Sequence, residues 1–214
     1  VSFAIIALVI TYLTIGFLKY FLYLPQFLEN TENLMPWILA LPQILLLLFV
    51  WRSYKNDERW SLLVFTPPES QHYFLTVIFS VALNLLFYVI YQILVLSFAG
   101  QSLLVPEIPR TILGTAWFVP INLFAIVIWV PIIEEIFFRG FLLGEIASRV
   151  GMPASILITS LIFSSLHGEI GLLVPVFLNS VVISIVYIRL RSLVPIVMIH
   201  AIQNLMVALV AASS

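Results

Sequence analysis

The sequence predicts an all-α fold: a polytopic transmembrane helical bundle of about seven spans, with its functional residues among the spans. Three observations predict it. Of the 214 residues, 63% are hydrophobic and 9% are charged, against about 45–50% apolar and about 25% charged in soluble domains. The mean hydropathy is +1.18. The apolar residues also fall into runs close to the roughly 20 residues that a helix needs to cross the hydrocarbon core of a bilayer.

The first run, at about 3–24, ends at Pro25. It lacks the small-residue cleavage site of a signal peptide. The chain opens on Val1 rather than Met, so a further N-terminal piece is expected. The second run, about 34–51, closes on Trp51 and Arg52, and the third, about 72–98, stops before Gly100. Between them the stretch KNDERWSLLVFTPPES, 55–70, is the one sizeable polar connection. Its WSLLVF piece suits the membrane interface, and TPPE marks a turn. The fourth span begins near 112 and runs through PIIEEIFFRG, 131–140, to Arg149, where Val150-Gly151-Met152-Pro153 gives a sharp turn signal. The fifth, about 153–167, opens on Pro153. The sixth covers about 171–188 and the seventh about 193–211. The whole of 1–214 reads as a single transmembrane domain, with variable N-terminal spans over about 1–110 and a core over about 111–211.

Arg52, Lys55, Arg59, Arg149, Arg189 and Arg191 fall in loops on one side of such a bundle. Positively charged loops stay cytoplasmic, so the sequence predicts an inside N-terminus and an outside C-terminus. The nine Lys and Arg are scattered, which points away from nucleic acid and leaves the lipid bilayer as the surrounding partner. With no cysteine, disulfides, thiolate catalysis and Cys-ligated metals are excluded.

Ionisable groups inside spans are costly and mark function by default. Glu134 lies 15 positions before Arg149, roughly 22 Å at 1.5 Å per residue. His167 lies 14 positions after Pro153, roughly 21 Å on the same rise. On the last span His200 and Asn204 come out roughly 12 and 18 Å past Ser192. Four polar groups from three helices are thus predicted at similar depth, nearer the outer face. Residues four apart share a face. Glu135 and Arg139 can therefore pair, His200 and Asn204 point together, and so do Phe163 and His167. Glu134 points about 100° away from Glu135 and is free to face a cavity. Blander roles exist for each: an ion pair for Glu135 and Arg139, an interfacial histidine at 167, and packing glue at 200 and 204. The convergence carries the argument.

Three motifs then come into view. Glu134-Glu135-x-x-x-Arg139 resembles EExxxR, Phe163 to His167 resembles FxxxH, and His200 to Asn204 resembles HxxxN. In this order they resemble the CPBP family (Abi, or CAAX protease and bacteriocin-processing), intramembrane proteases that include the type II CAAX prenyl endopeptidases. The motifs cover about the last 80 residues; the first 110 resemble the family only in being helical spans. The resemblance implies an endopeptidase. Glu134 would activate a water, His167 would hold it or orient the carboxylate, and His200 with Asn204 would stabilise the oxyanion. Glu135, Arg139 and Phe163 would support them.

Bare chemistry agrees with hydrolysis, which needs a nucleophile, a proton acceptor and oxyanion donors. No serine is placed well enough for an acyl-enzyme, so water is the expected nucleophile. Glu134, His167 and His200 could make a His₂Glu zinc site. No HExxH is present, however, and only Glu135 would remain as a base. A metal-free, glutamate-type mechanism with no cofactor is favoured, with zinc as the alternative. The expected substrate is a peptide or membrane-anchored protein, and the expected setting a prokaryotic cell membrane. Two other readings are a non-catalytic scaffold or bacteriocin-immunity factor of the same family, and a transporter. The latter would require inverted repeats with broken helices, of which the sequence shows none.

Overall fold

The computed structural model describes residues 33, 35–54, 66–68, 72–99, 103–108 and 110–213. The expected span at 3–24 and most of the 55–70 connection lie outside them. Every regular element among the described residues is helical. These are α1 (Met35–Tyr54), α2 (Tyr73–Leu94, prolonged by a π turn over Val95–Ala99), a 3₁₀ turn at Arg110–Leu113, α3 (Phe118–Val150), α4 (Met152–Ser165), α5 (Ile170–Leu190) and α6 (Leu193–Ser213). Four of them are long and apolar enough to cross a membrane: Tyr73–Phe98, Phe118–Val150, Ile170–Leu190 and Leu193–Ser213. The seven-span expectation is therefore approximate. The fifth predicted span, α4, has 14 residues, about 21 Å of helix against about 30 Å of hydrocarbon.

The helix boundaries follow local rules. Gly151, with φ +82°, separates α3 from α4 in a conformation that a side chain disfavours, and its N–H closes α3 on the Ala147 carbonyl. Pro153 sits in the first turn of α4, where no N–H is needed. Arg191 takes the left-handed conformation that ends α5, its N–H on the Tyr187 carbonyl at 2.7 Å. The Ser192 hydroxyl then accepts the Val194 N–H at the start of α6 and donates to the Thr66 carbonyl.

The chain divides into two compact units. The first takes residues 1–62, 108–137 and 200–214. Here α1 packs on the 125–135 part of α3. Gln43, Leu46 and Val50, spaced three and four apart, form its buried stripe, while Leu45, Leu48 and Trp51 are exposed. Asn33 accepts from the N–H and hydroxyl of Thr115, and Asn122 donates to the Asn33 and Leu113 carbonyls ahead of α3.

The second unit takes 63–107 and 138–199. In it α5 packs against α4 and α2. Its buried face is small and polar: Ser155, Thr159, Ser160 and Ser164 on α4, Ser180 and Ser184 on α5. Helix packing in lipid favours such residues, because small side chains let backbones approach and hydroxyls bond across the contact. Ser180 donates to Ser160 at 3.0 Å, and Asn84 of α2 donates to Asn179 of α5 at 2.7 Å. Phe74, Leu75, Ile78, Phe79 and Phe98 stay exposed, as lipid-facing side chains do.

Gly171, in the first turn of α5, lies against the Leu104 carbonyl so closely that a Cβ there would collide with it. Tyr91 already ties this backbone down by donating to the Leu103 carbonyl at 2.7 Å. Gly171→Ala is expected to cost about 1–3 kcal/mol as an overpacked contact, read as a lowered melting temperature in detergent. An unchanged melting point would mean that the 103–105 segment is free to retreat.

Candidate active site

The long helix α3 is not the uniform α-helix that the sequence reading assumed. It runs α over Phe118–Phe124, π over Ala125–Trp129, α over Val130–Glu135, π over Ile136–Leu142, and α again over Leu143–Val150. The first π segment has a local cause. The Val130 N–H reaches back five residues to the Ala125 carbonyl. The next rung would bring the nitrogen of residue 131 to the Ile126 carbonyl, but residue 131 is proline and has no N–H. The second segment contains Gly140, its weakest helix former. A π turn holds more residues than an α turn. Depths counted at a constant rise, and the i, i+4 phase from Glu135 to Arg139, therefore shift across these segments.

Glu134 and Glu135 stand between the two π segments. Glu135 is fully enclosed, and its Oε1 lies 2.8 Å from His200 Nδ1. One proton is shared across this contact, and it holds the ring at that edge. His200 Nε2 then faces Glu134 Oε2 at 3.7 Å. This is too long for a hydrogen bond and is a gap that one shared water can bridge. The Glu134 side chain keeps 20% of its surface exposed, against 6% for His200 and none for Glu135. Of the two carboxylates, Glu134 is thus the one that outside molecules can reach. Its Oε1 accepts a hydrogen bond from Gln43 Nε2 of α1 at 2.9 Å.

One turn further along α6, Asn204 Nδ2 donates to the Ile126 carbonyl at 2.8 Å. That is the carbonyl whose helical donor Pro131 removes. Asn204 thereby satisfies a backbone acceptor that would otherwise be orphaned in an apolar interior, and one of its two N–H groups remains for other work. Asn204→Leu is expected to cost about 1–3 kcal/mol, the usual penalty for an unsatisfied buried carbonyl. Adding Pro131→Ala, which restores an N–H, should recover part of that loss. Melting curves of the two variants check it, and full additivity of their effects would refute the link.

The second unit holds the other motif residues. Arg139 is 2% exposed and forks onto α5, donating to the Ser180 hydroxyl at 2.7 Å, the Ser180 carbonyl at 3.2 Å and the Ser184 hydroxyl at 3.4 Å. Its guanidinium carbon lies 4.9 Å from the centre of the Phe163 ring, at cation–π distance. Phe163 meets Phe138 edge-on at 4.9 Å and His167 at 5.2 Å. His167 lies two residues past the end of α4, with Nδ1 3.0 Å from the Phe163 carbonyl. Because a carbonyl only accepts, Nδ1 is the donor in this contact.

The structure thus brings Glu134, Glu135 and His200 into one cluster, sets Asn204 on the same stretch of α3, and joins Arg139, Phe163 and His167 in the other unit. Glu135 meets His200, and Arg139 meets the serines of α5. Among the described residues no three His, Asp or Glu side chains group as metal ligands would. Sequence reading missed Gln43, although an amide in the middle of the apolar run PWILALPQILLLLFV is itself the signal of a functional polar group in a span. It also missed the serine face of α5, where single small residues do not stand out.

No curated protein and no solved structure gives a significant match to the chain. A family model does: that of the Rce1-like type II CAAX prenyl endopeptidases matches residues 115–206, the segment that holds all three motifs. Over that segment the chain is similar to the type II CAAX prenyl endopeptidases, in line with the resemblance of its motifs.

Proposed function

We propose that this protein is an intramembrane endopeptidase in which Glu134 activates the water that attacks a peptide carbonyl. The observation that carries the proposal is the accessible Glu134 carboxylate, 3.7 Å from an imidazole whose far edge is locked by an enclosed second carboxylate. Glu134 accepts a proton from water, and the hydroxide adds to the carbonyl carbon. The resulting oxyanion is met by N–H donors: His200 Nε2 when the ring is an imidazolium, and the spare N–H of Asn204. Glu135 holds the His200 ring by its Nδ1 edge. Glu134 then returns its proton to the leaving nitrogen as the C–N bond breaks. The FxxxH resemblance implies that His167 holds the water or orients the carboxylate.

The family supports a membrane-associated protein or peptide as substrate, and a prokaryotic cell membrane is the proposed setting. A metal-free route remains the proposal, since among the described residues no three His, Asp or Glu side chains group as metal ligands would.

Cleavage of a peptide library by purified wild type and Glu134→Gln, each with and without a strong chelator, tests this. Cleavage lost in Glu134→Gln and indifferent to chelator is the expected result. Chelator-sensitive cleavage restored by zinc would replace it with the metal route. Cleavage retained in Glu134→Gln would remove the glutamate mechanism.

A further inference from the structure

Gln43 belongs to α1, outside the matched segment and 91 residues from the glutamate that it touches. We infer that Gln43 is a positioning residue for Glu134, an inference that rests on the catalytic reading above. An amide in the apolar interior of a membrane protein is costly unless it is hydrogen-bonded. Gln43 is 8% exposed and keeps company with Leu46 and Val50 on the buried stripe of α1. Its Nε2 donates to Glu134 Oε1 at 2.9 Å, while its own Oε1 is buried without a partner. The amide can take only this orientation toward an ionised carboxylate, because Glu134 then has acceptors alone. The carbonyl oxygen of this side chain goes unused, and its amide nitrogen donates to the one reachable carboxylate of the cluster.

The consequence is a carboxylate held at one oxygen and turned toward His200 with the other. Oε1 is held by α1, and Oε2 is left toward His200 with the 3.7 Å opening between them. The terminal torsion of a glutamate is soft and roughly two-fold. Removing the Gln43 N–H takes away one hydrogen bond that fixes this torsion at Oε1. Gln43 does not touch the reacting atoms. It sets which oxygen takes the proton and holds its angle to the water.

Gln43→Met keeps the length of the side chain and removes the donor. Loss of a partner that orients a reacting group typically costs about 10–100-fold. We expect a loss of that size in kcat, with KM and melting temperature unchanged. Gln43→Leu is a second donor-free variant should the first fail to accumulate. Isotope-edited infrared difference spectra, wild type minus Glu134→Gln, isolate the Glu134 carboxylate stretch. The Gln43→Met spectrum should show that band displaced, which a merely structural role for Gln43 would not do. Full cleavage by Gln43→Met beside a dead Glu134→Gln, or an unmoved band, overturns this inference alone. Wild-type cleavage by Glu134→Gln overturns the catalytic reading and this inference with it.

Discussion

Glu134→Gln is expected to lower kcat by about 10²–10⁴-fold, the usual contribution of a positioned general base, with the fold intact. The substitution is nearly isosteric, and the new amide oxygen can still accept from Gln43 Nε2 at the 2.9 Å that the carboxylate uses now. What disappears is the ability to take a proton from water. Because 20% of the Glu134 side chain is exposed, removing its charge leaves no enclosed ion uncompensated, and the melting temperature should hold. Substrate binding should survive too, so the loss belongs in kcat rather than KM. A variant that cleaves normally, or one that fails only because it unfolds, would contradict the assignment.

Arg139→Met is expected to act in the opposite way, through the fold. Arg139 is among the largest fully buried side chains in the structure. Its guanidinium joins α3 to α5 through two serine hydroxyls and a backbone carbonyl. Hydrogen bonds to a charged group contribute about 1.5–3 kcal/mol each. With compensation from the desolvated charge that is removed, a net loss of about 3 kcal/mol is the reasonable magnitude. Arg139→Lys should rescue little, because one compact ammonium cannot spread over sites that a planar fork reaches together. Thermal unfolding in detergent reads both variants. An Arg139→Met protein as stable as wild type but inactive would move Arg139 from the scaffold into the chemistry.

The helical architecture was legible because its cause is one-dimensional. The apolar runs, and the punctuation at Gly151, Pro153 and Arg191–Ser192, are local signals that survive into the structure within a few residues. The motif residues were legible because ionisable groups inside apolar runs are rare. The sequence did not reveal the π segments of α3, since helical periodicity assumes a constant number of residues per turn and Pro131 upsets it only through a bond that fails to form. That His200 Nδ1 sits 2.8 Å from Glu135 depends on how α6 meets α3, which no local pattern encodes. Gln43 was equally hidden: its polarity was visible, but its partner lies 91 residues away.

The bond from Asn204 to Ile126 ties the evolutionary fates of two distant positions. So long as residue 131 is proline, selection for a sound backbone alone is enough to keep an amide at 204. In a descendant that gained an alanine at 131, the architectural demand would lapse. An asparagine that persisted at 204 in such a lineage would then be kept for what it does to substrate, so covariation of these two sites separates heritage from chemistry.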